Sequence, residues 1–246
     1  MTDLLLFQLR RVGRNRQYLF FTVLLPALFT IFFTKVIGGQ LRAGDYQDVA
    51  GATMISMMAY GAIGAALGAT IRLAFDRSSG WLRQLRVTPV PPAATLAVDV
   101  IVGAVLVLPS LLVVALVGRF VNGVEFALGT WLLLLGALWA GSVVFVALGV
   151  AVGLALDAQA AGAAIGILGT ILAALGGLWF PVEVFPAGMV PLAHAMPSYW
   201  YAELGRDLAG GTFDVAPVLA LAGFGLLFAL AARLVVARRP LHAVAG

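Results

Sequence analysis

The chain has 246 residues, 62% apolar and 11% charged, with a mean hydropathy of +1.05. A soluble domain is nearer half apolar and a quarter charged, so these values exclude a water-soluble fold and point to an integral membrane protein. The net charge of +4 comes from arginines beside apolar runs, which argues for span flanks over nucleic-acid binding, and the lack of cysteine excludes disulfides, thiol chemistry and Cys-based metal sites.

Residues 2–16 are too polar to span. Leu4, Leu5, Phe7, Leu9 and Val12 alternate with Gln8, Arg10, Arg11 and Arg14, a pattern predicting an amphipathic helix in the headgroup region. The apolar run that follows is too long for a signal peptide, contains Pro26 and lacks a small-x-small cleavage site, so it is expected to be retained. Six spans are predicted, at 18–37, 49–73, 93–117, 128–156, 161–179 and 215–236. The fold class is therefore an all-α integral membrane domain covering 1–246. Pro26 and Pro109 should bend the first and third spans. Small-xxx-small patterns at Gly64/Gly68, Gly149/Gly153 and Gly162/Gly166 suit close helix packing. No internal repeat supports an inverted-repeat transporter.

With the N-terminus inside, the inner side holds Arg10, Arg11, Arg14, Arg16, Arg72, Arg77, Arg83, Arg86, Arg233, Arg238 and Arg239, and the outer side only Lys35, Arg42, Arg119 and Arg206. The positive-inside rule then places both termini in the cytoplasm. Most acids fall outside: Asp45, Asp48, Glu125, Glu183, Glu203, Asp207 and Asp214.

Two connections stand out. The cytoplasmic stretch 75–90 carries a helix-breaking Gly80, with Trp81, Leu82 and Leu85 on one side and Arg83 and Arg86 on another. It reads as a handle for a separate protein. The outer stretch 180–214 is too apolar for a solvated loop and too proline-broken to span. It predicts short re-entrant helices buried against protein. Its Tyr199, Trp200 and Tyr201 suit an interfacial anchor, and Phe180, Pro181, Phe185, Pro186 and Pro197 are candidates for an outer gate.

No catalytic apparatus is apparent. Lys35 follows no Gly-rich loop, so there is no phosphate-binding site, and His194 and His242 are isolated, so no metal or cofactor site is expected. Asp99, near the cytoplasmic start of the third span, is either the partner of an arginine or a proton-coupling carboxylate.

Taken in order, the basic N-terminus, the six spans, Gly-Trp-Leu-Arg-Gln-Leu-Arg-x-Thr-Pro at 80–89 and Phe-Pro-x-x-x-Phe-Pro…Met-Pro at 180–197 resemble the permease subunits of ABC-2 (type-2 ABC) exporters. The group includes bacterial drug-resistance permeases similar to daunorubicin exporters. Two departures are visible: Asp76-Arg77 stands where many relatives carry a glutamate before the arginine, and Leu82-Arg83 stands where they carry Leu-Glu. The resemblance implies a bacterial inner-membrane efflux permease without its own ATP site, working as a dimer, most simply a homodimer. Two copies of a separate ATP-binding subunit would hold ATP and Mg. Residues Arg77, Gly80, Trp81, Leu82, Arg83, Leu85 and Arg86 would form the coupling helix. An apolar or amphipathic substrate (drug, antibiotic or lipid-like) would pass between protomers, with Met54, Met57, Met58 and Tyr60 as candidate contacts. A glycolipid or polysaccharide cargo stays open on the aromatic first span. A proton-coupled transporter stays open on Asp99, and a non-transporting scaffold is the remaining alternative.

Overall fold

The computed structural model describes residues 14–38, 43–78 and 92–238, and every regular element within them is helical. Most of the expected interfacial helix lies outside the described residues, as do Gly80, Trp81, Leu82, Arg83, Leu85 and Arg86 of the expected coupling stretch. Arg77 is placed only as backbone in the last turn of a helix.

Six helices are long and apolar enough to cross a membrane. α1 begins as Arg16–Leu19, passes through a π turn at Phe20–Leu24 and continues as Leu25–Gly38. α2 is Ala43–Ser78 and α3 is Pro92–Phe120. α4 comes in two pieces, Leu128–Gly141 and Val143–Ala155, and α5 is Ala158–Leu175. A 3-10 turn at Val182–Val184 and two short helices, α6 (Val190–His194) and α7 (Pro197–Ala209), precede the last span, α8 (Val215–Arg238). Tyr18, Arg72 and Gly162 meet at one end of the bundle, called proximal here; Phe33, Asp48 and Trp179 meet at the other, distal end.

α2 is the centre of the bundle. Within its membrane-crossing stretch 78% is buried, against 22% for α5 and 11% for α8. Ala50, Ala59, Ala62, Ala65 and Ala66 are all fully buried. In lipid, large apolar side chains gain little by facing inward, so the small-residue helix takes the position where backbones approach most closely. α1, α3, α4, α5 and α7 all pack on it.

The two prolines show how the bundle is pinned. Pro26 has no N–H for the Thr22 carbonyl four residues before it, and the chain just upstream is wound as the π turn. Ser110, next to Pro109 on α3, donates its hydroxyl to that Thr22 carbonyl at 2.6 Å. Gly61 of α2 lies against the same point: a Cβ there would overlap Ser110 Oγ and come within 3.1 Å of Pro26 Cγ. Three spans thus meet where a proline frees a carbonyl, a serine takes it up and a glycine makes room. Further along α1, Asn122 Nδ2 donates to the Thr30 carbonyl (3.1 Å) and to Thr34 Oγ1 (3.0 Å), tying the distal end of α3 to α1.

The three small-xxx-small patterns have three different surroundings. Gly149 and Gly153 of α4 lie directly on Thr70 and Leu73 of α2. Gly68 faces the Tyr18 ring, whose hydroxyl donates to the Ala65 carbonyl at 2.9 Å. Gly162 and Gly166 of α5 have nothing within 4 Å.

α5 ends at Leu175, because Gly176 leaves the helical path and Gly177 takes a left-handed φ of 73°. Trp179, placed inside the fifth span by its apolarity, therefore belongs to the distal connection. α7 plugs the distal mouth of the bundle, with Pro197 fixing its first turn. Ser198 donates to the Leu172 carbonyl at 2.6 Å, holding α7 to the end of α5. The buried Tyr201 reaches the break in α4, where its hydroxyl donates to the Leu138 carbonyl and its ring covers Gly141.

Candidate functional site

Two cavities lie on the face formed by α1, α2 and α5. The proximal one is a groove of about 720 Å³ between Tyr18 and Phe21 of α1, Gly64 and Gly68 of α2, and Gly162 and Gly166 of α5. The glycines of α5 leave part of its floor bare between Ile165 and Thr170, while Asn15, Gln17 and Arg72 make its proximal mouth polar. Arg72 donates from Nε to the Ala69 carbonyl at 3.2 Å.

The distal cavity, about 330 Å³, is walled by Phe33, Met57 and Trp179. Thr53 and Ser56 of α2 add hydroxyls, and Asp48, Glu183 and Arg206 are also in its wall. Arg206 is already engaged. Its Nε and NH2 donate to Glu203 Oε2 at 2.9 and 2.6 Å, and NH1 donates to Ser56 Oγ at 3.4 Å. Next to Arg206 on α7, burial holds the Asp207 carboxyl above the usual carboxylate range, helped by the Glu203 and Asp214 charges and opposed by Arg206.

Aromatic rings stand between the two cavities. Phe29 stacks on Tyr60 with centroids 6.4 Å apart and an interplanar angle of 18°. Tyr60 meets Trp179 edge to face at 5.8 Å. Phe33 contacts Phe29 at 5.6 Å and Phe180 at 6.2 Å. Tyr60 lines the groove, while Phe33 and Trp179 line the pocket, so this cluster is their shared wall. It joins α1, α2 and the connection after α5, with no polar contact across it beyond ring edges and faces.

The four candidate substrate contacts separate. Tyr60 faces the groove and Met57 the distal pocket. Met54 and Met58 do not: both are fully buried, with Met54 packed onto Gly118 of α3. Their i, i+4 spacing turns them together into the bundle, so they fill the core. Of the outer-gate candidates, Phe180 belongs to the aromatic wall and Pro181 to the distal pocket. Phe185 and Pro186 line neither cavity, and the buried Pro197 serves as a helix start. Sequence reasoning noted Phe29 and Phe33 only as part of an aromatic first span and assigned Trp179, Asp48 and Arg206 to no site. For Arg206, the spacing of three residues from Glu203 on an amphipathic helix offered a signal.

Asp99 is buried on α3, is engaged in polar or electrostatic contacts, and lines neither cavity. His194 packs its ring on Tyr199 (4.6 Å), and its carbonyl accepts from Trp200 Nε1 at 2.7 Å. Among the described residues, no group of three His, Asp or Glu side chains could hold a metal ion.

Two comparisons with known proteins bear on these cavities. Residues 4–208 match the family model described as ABC-2 type transporter. The chain is also 30% identical over 243 residues, 96% of each chain, to a Bacillus subtilis (strain 168) protein named "Putative transport permease YvfS".

Proposed function

The chain belongs to the ABC-2 type transporter family, and from that premise we propose that it is the membrane permease subunit of an ATP-driven exporter for an apolar or amphipathic compound. Two copies of a separate ATPase subunit bind ATP and Mg and drive it from the cytoplasm. The proximal end is taken as the cytoplasmic one, since Arg14, Arg16, Arg72 and Arg233 lie there against Lys35, Arg119 and Arg206 at the distal end. The membrane is the bacterial inner membrane.

One observation carries this reading. α2 is a single helix of 36 residues that lines the groove, supplies Tyr60 to the aromatic wall and lines the distal pocket. Its proximal end runs directly into Arg77–Arg86, the stretch that would seat on the ATPase. Movement of that stretch is therefore coupled to both cavities through one rigid element. The substrate enters the groove, passes the rings and leaves through the distal pocket. A second copy of the chain closes the open side, which the bare glycine face of α5 and the exposed Phe21 and Phe32 of α1 support.

The test is co-expression with the candidate ATPase, followed by pull-down and ATP-dependent transport in vesicles. Trp81→Ala combined with Leu85→Ala should release the ATPase and abolish transport while leaving the unfolding midpoint unchanged. Full recruitment and transport by the double variant would refute the coupling role.

A further inference from the structure

We propose that the distal pocket is a binding site for an organic cation with an apolar body. The inference extends the transport reading above, since it places this site on the exit path; the binding itself needs neither ATP nor a partner.

The charge balance comes first. Among the described residues, the pocket wall holds one base, Arg206, and two acids, Asp48 and Glu183. Arg206 is neutralised by Glu203, with two of its nitrogens on one carboxylate oxygen. Neither Asp48 nor Glu183 has an ion-pair partner among the described residues. Lys35 is exposed on α1 and is not part of the wall. Counting Glu203 with Arg206, the pocket keeps two uncompensated negative charges. They come from different elements, one from α2 and one from the 3-10 turn. Both carboxylates are solvent-exposed, so they act by attracting charge to the mouth instead of by a fixed contact.

The walls supply the rest. Trp179 and Phe33 put aromatic rings in the wall, a ring face attracts a cation within about 6 Å of the centroid, and Met57 adds a polarisable thioether. Thr53 and Ser56 add hydroxyl oxygens as acceptors. The volume of about 330 Å³ lies at the small end of ligand cavities, enough for a compact organic ion. An anion would meet the same rings with both carboxylates opposed to it. A neutral solute would gain the walls and lose the charge.

The chain contains no cysteine, so one substitution creates a unique reporter thiol. With Thr53→Cys in the full chain, in lipid nanodiscs without the ATPase, cationic and anionic methanethiosulfonates of similar size are compared for labelling rate. Ala187→Cys, at an exposed position in the distal connection, is the reference site. The cationic reagent should label Thr53→Cys about tenfold faster relative to the anionic one, beyond the ratio at Ala187→Cys. Tetraphenylphosphonium should slow labelling at Thr53→Cys only. Adding Asp48→Asn and Glu183→Gln should erase both effects. Equal reagent ratios at the two sites, or equal protection by tetraphenylborate, would overturn the proposal without any use of the double variant. Vesicles carrying the ATPase separate the two claims. Protection at Thr53→Cys without ATP-driven tetraphenylphosphonium movement keeps the site and counts against its place on an export path. ATP-driven transport without protection keeps the exporter and removes the site.

Discussion

Ser110→Ala tests whether the proline of α1 and the serine of α3 form one unit. The Ser110 side chain is fully buried and donates to the Thr22 carbonyl, which Pro26 leaves without its helical donor. Removing the hydroxyl strands a buried acceptor in a region with no water to replace it. An unmade hydrogen bond of this kind costs about 1–3 kcal/mol in soluble proteins, and interhelical bonds in membranes average somewhat less, so a loss of about 1–2 kcal/mol is expected. The distinguishing step is the second background. Pro26→Ala restores an N–H at the position that can serve Thr22, and in that chain Ser110→Ala should cost no more than about 0.5 kcal/mol. Equilibrium unfolding in mixed micelles, on the four chains of the cycle, measures the difference. An identical cost in both backgrounds would refute the linkage and reduce Ser110 to an ordinary buried hydroxyl.

Further outcomes follow from the cavities. Tyr60→Ala removes the ring shared by Phe29 and Trp179 and should let a groove-sized dye leak across proteoliposomes without ATP, while Tyr60→Phe should stay tight; equal leak in both variants would discount the rings as a barrier. Asp207 has its folded pKa raised above the free value of 3.8. The folded state then holds the proton more firmly than the unfolded one, so this group's contribution falls as pH rises from 3.8 through its raised pKa, and acidification through that window stabilises α7. Asp207→Asn should flatten the pH dependence of distal-end hydrogen exchange between those limits, and an unchanged profile would count against the assignment.

How much of this was legible in the sequence differs from residue to residue. The six spans follow from apolar length alone, because lipid leaves a spanning chain few options besides a helix. The proline-broken apolar stretch after the fifth span likewise announced short helices, since its backbone had to be satisfied inside protein. Packing was much less legible. Gly149/Gly153, Gly64/Gly68 and Gly162/Gly166 look alike in sequence, yet one pair lies on a neighbouring helix, one faces a tyrosine ring and one lines open space. The motif states that close approach is possible, not which partner takes it up. Trp179 was drawn into the fifth span because hydropathy cannot see the left-handed turn at Gly177. The phenylalanines of α1 suited lipid on composition, with sugar stacking left open. Only the fold brings Phe29 and Phe33 to Tyr60 and Trp179. The link from Arg206 to Ser56 crosses 150 residues and leaves no local trace.

The position of Gly61 has a mechanical consequence. It stands eighteen residues beyond Ala43 and seventeen before Ser78, so α2 passes close to α1 and α3 at its midpoint, with arms of roughly 27 and 26 Å. A rod that rocks about such a central contact behaves as a balance beam. A tilt of about 10° swings the two tips by roughly 5 Å in opposite directions, while Tyr60, beside the fulcrum, barely travels. Widening at one tip is then geometrically tied to narrowing at the other, so both ends of the beam cannot open on the same side at once, and any opening of the central rings must come from the helices that face Tyr60.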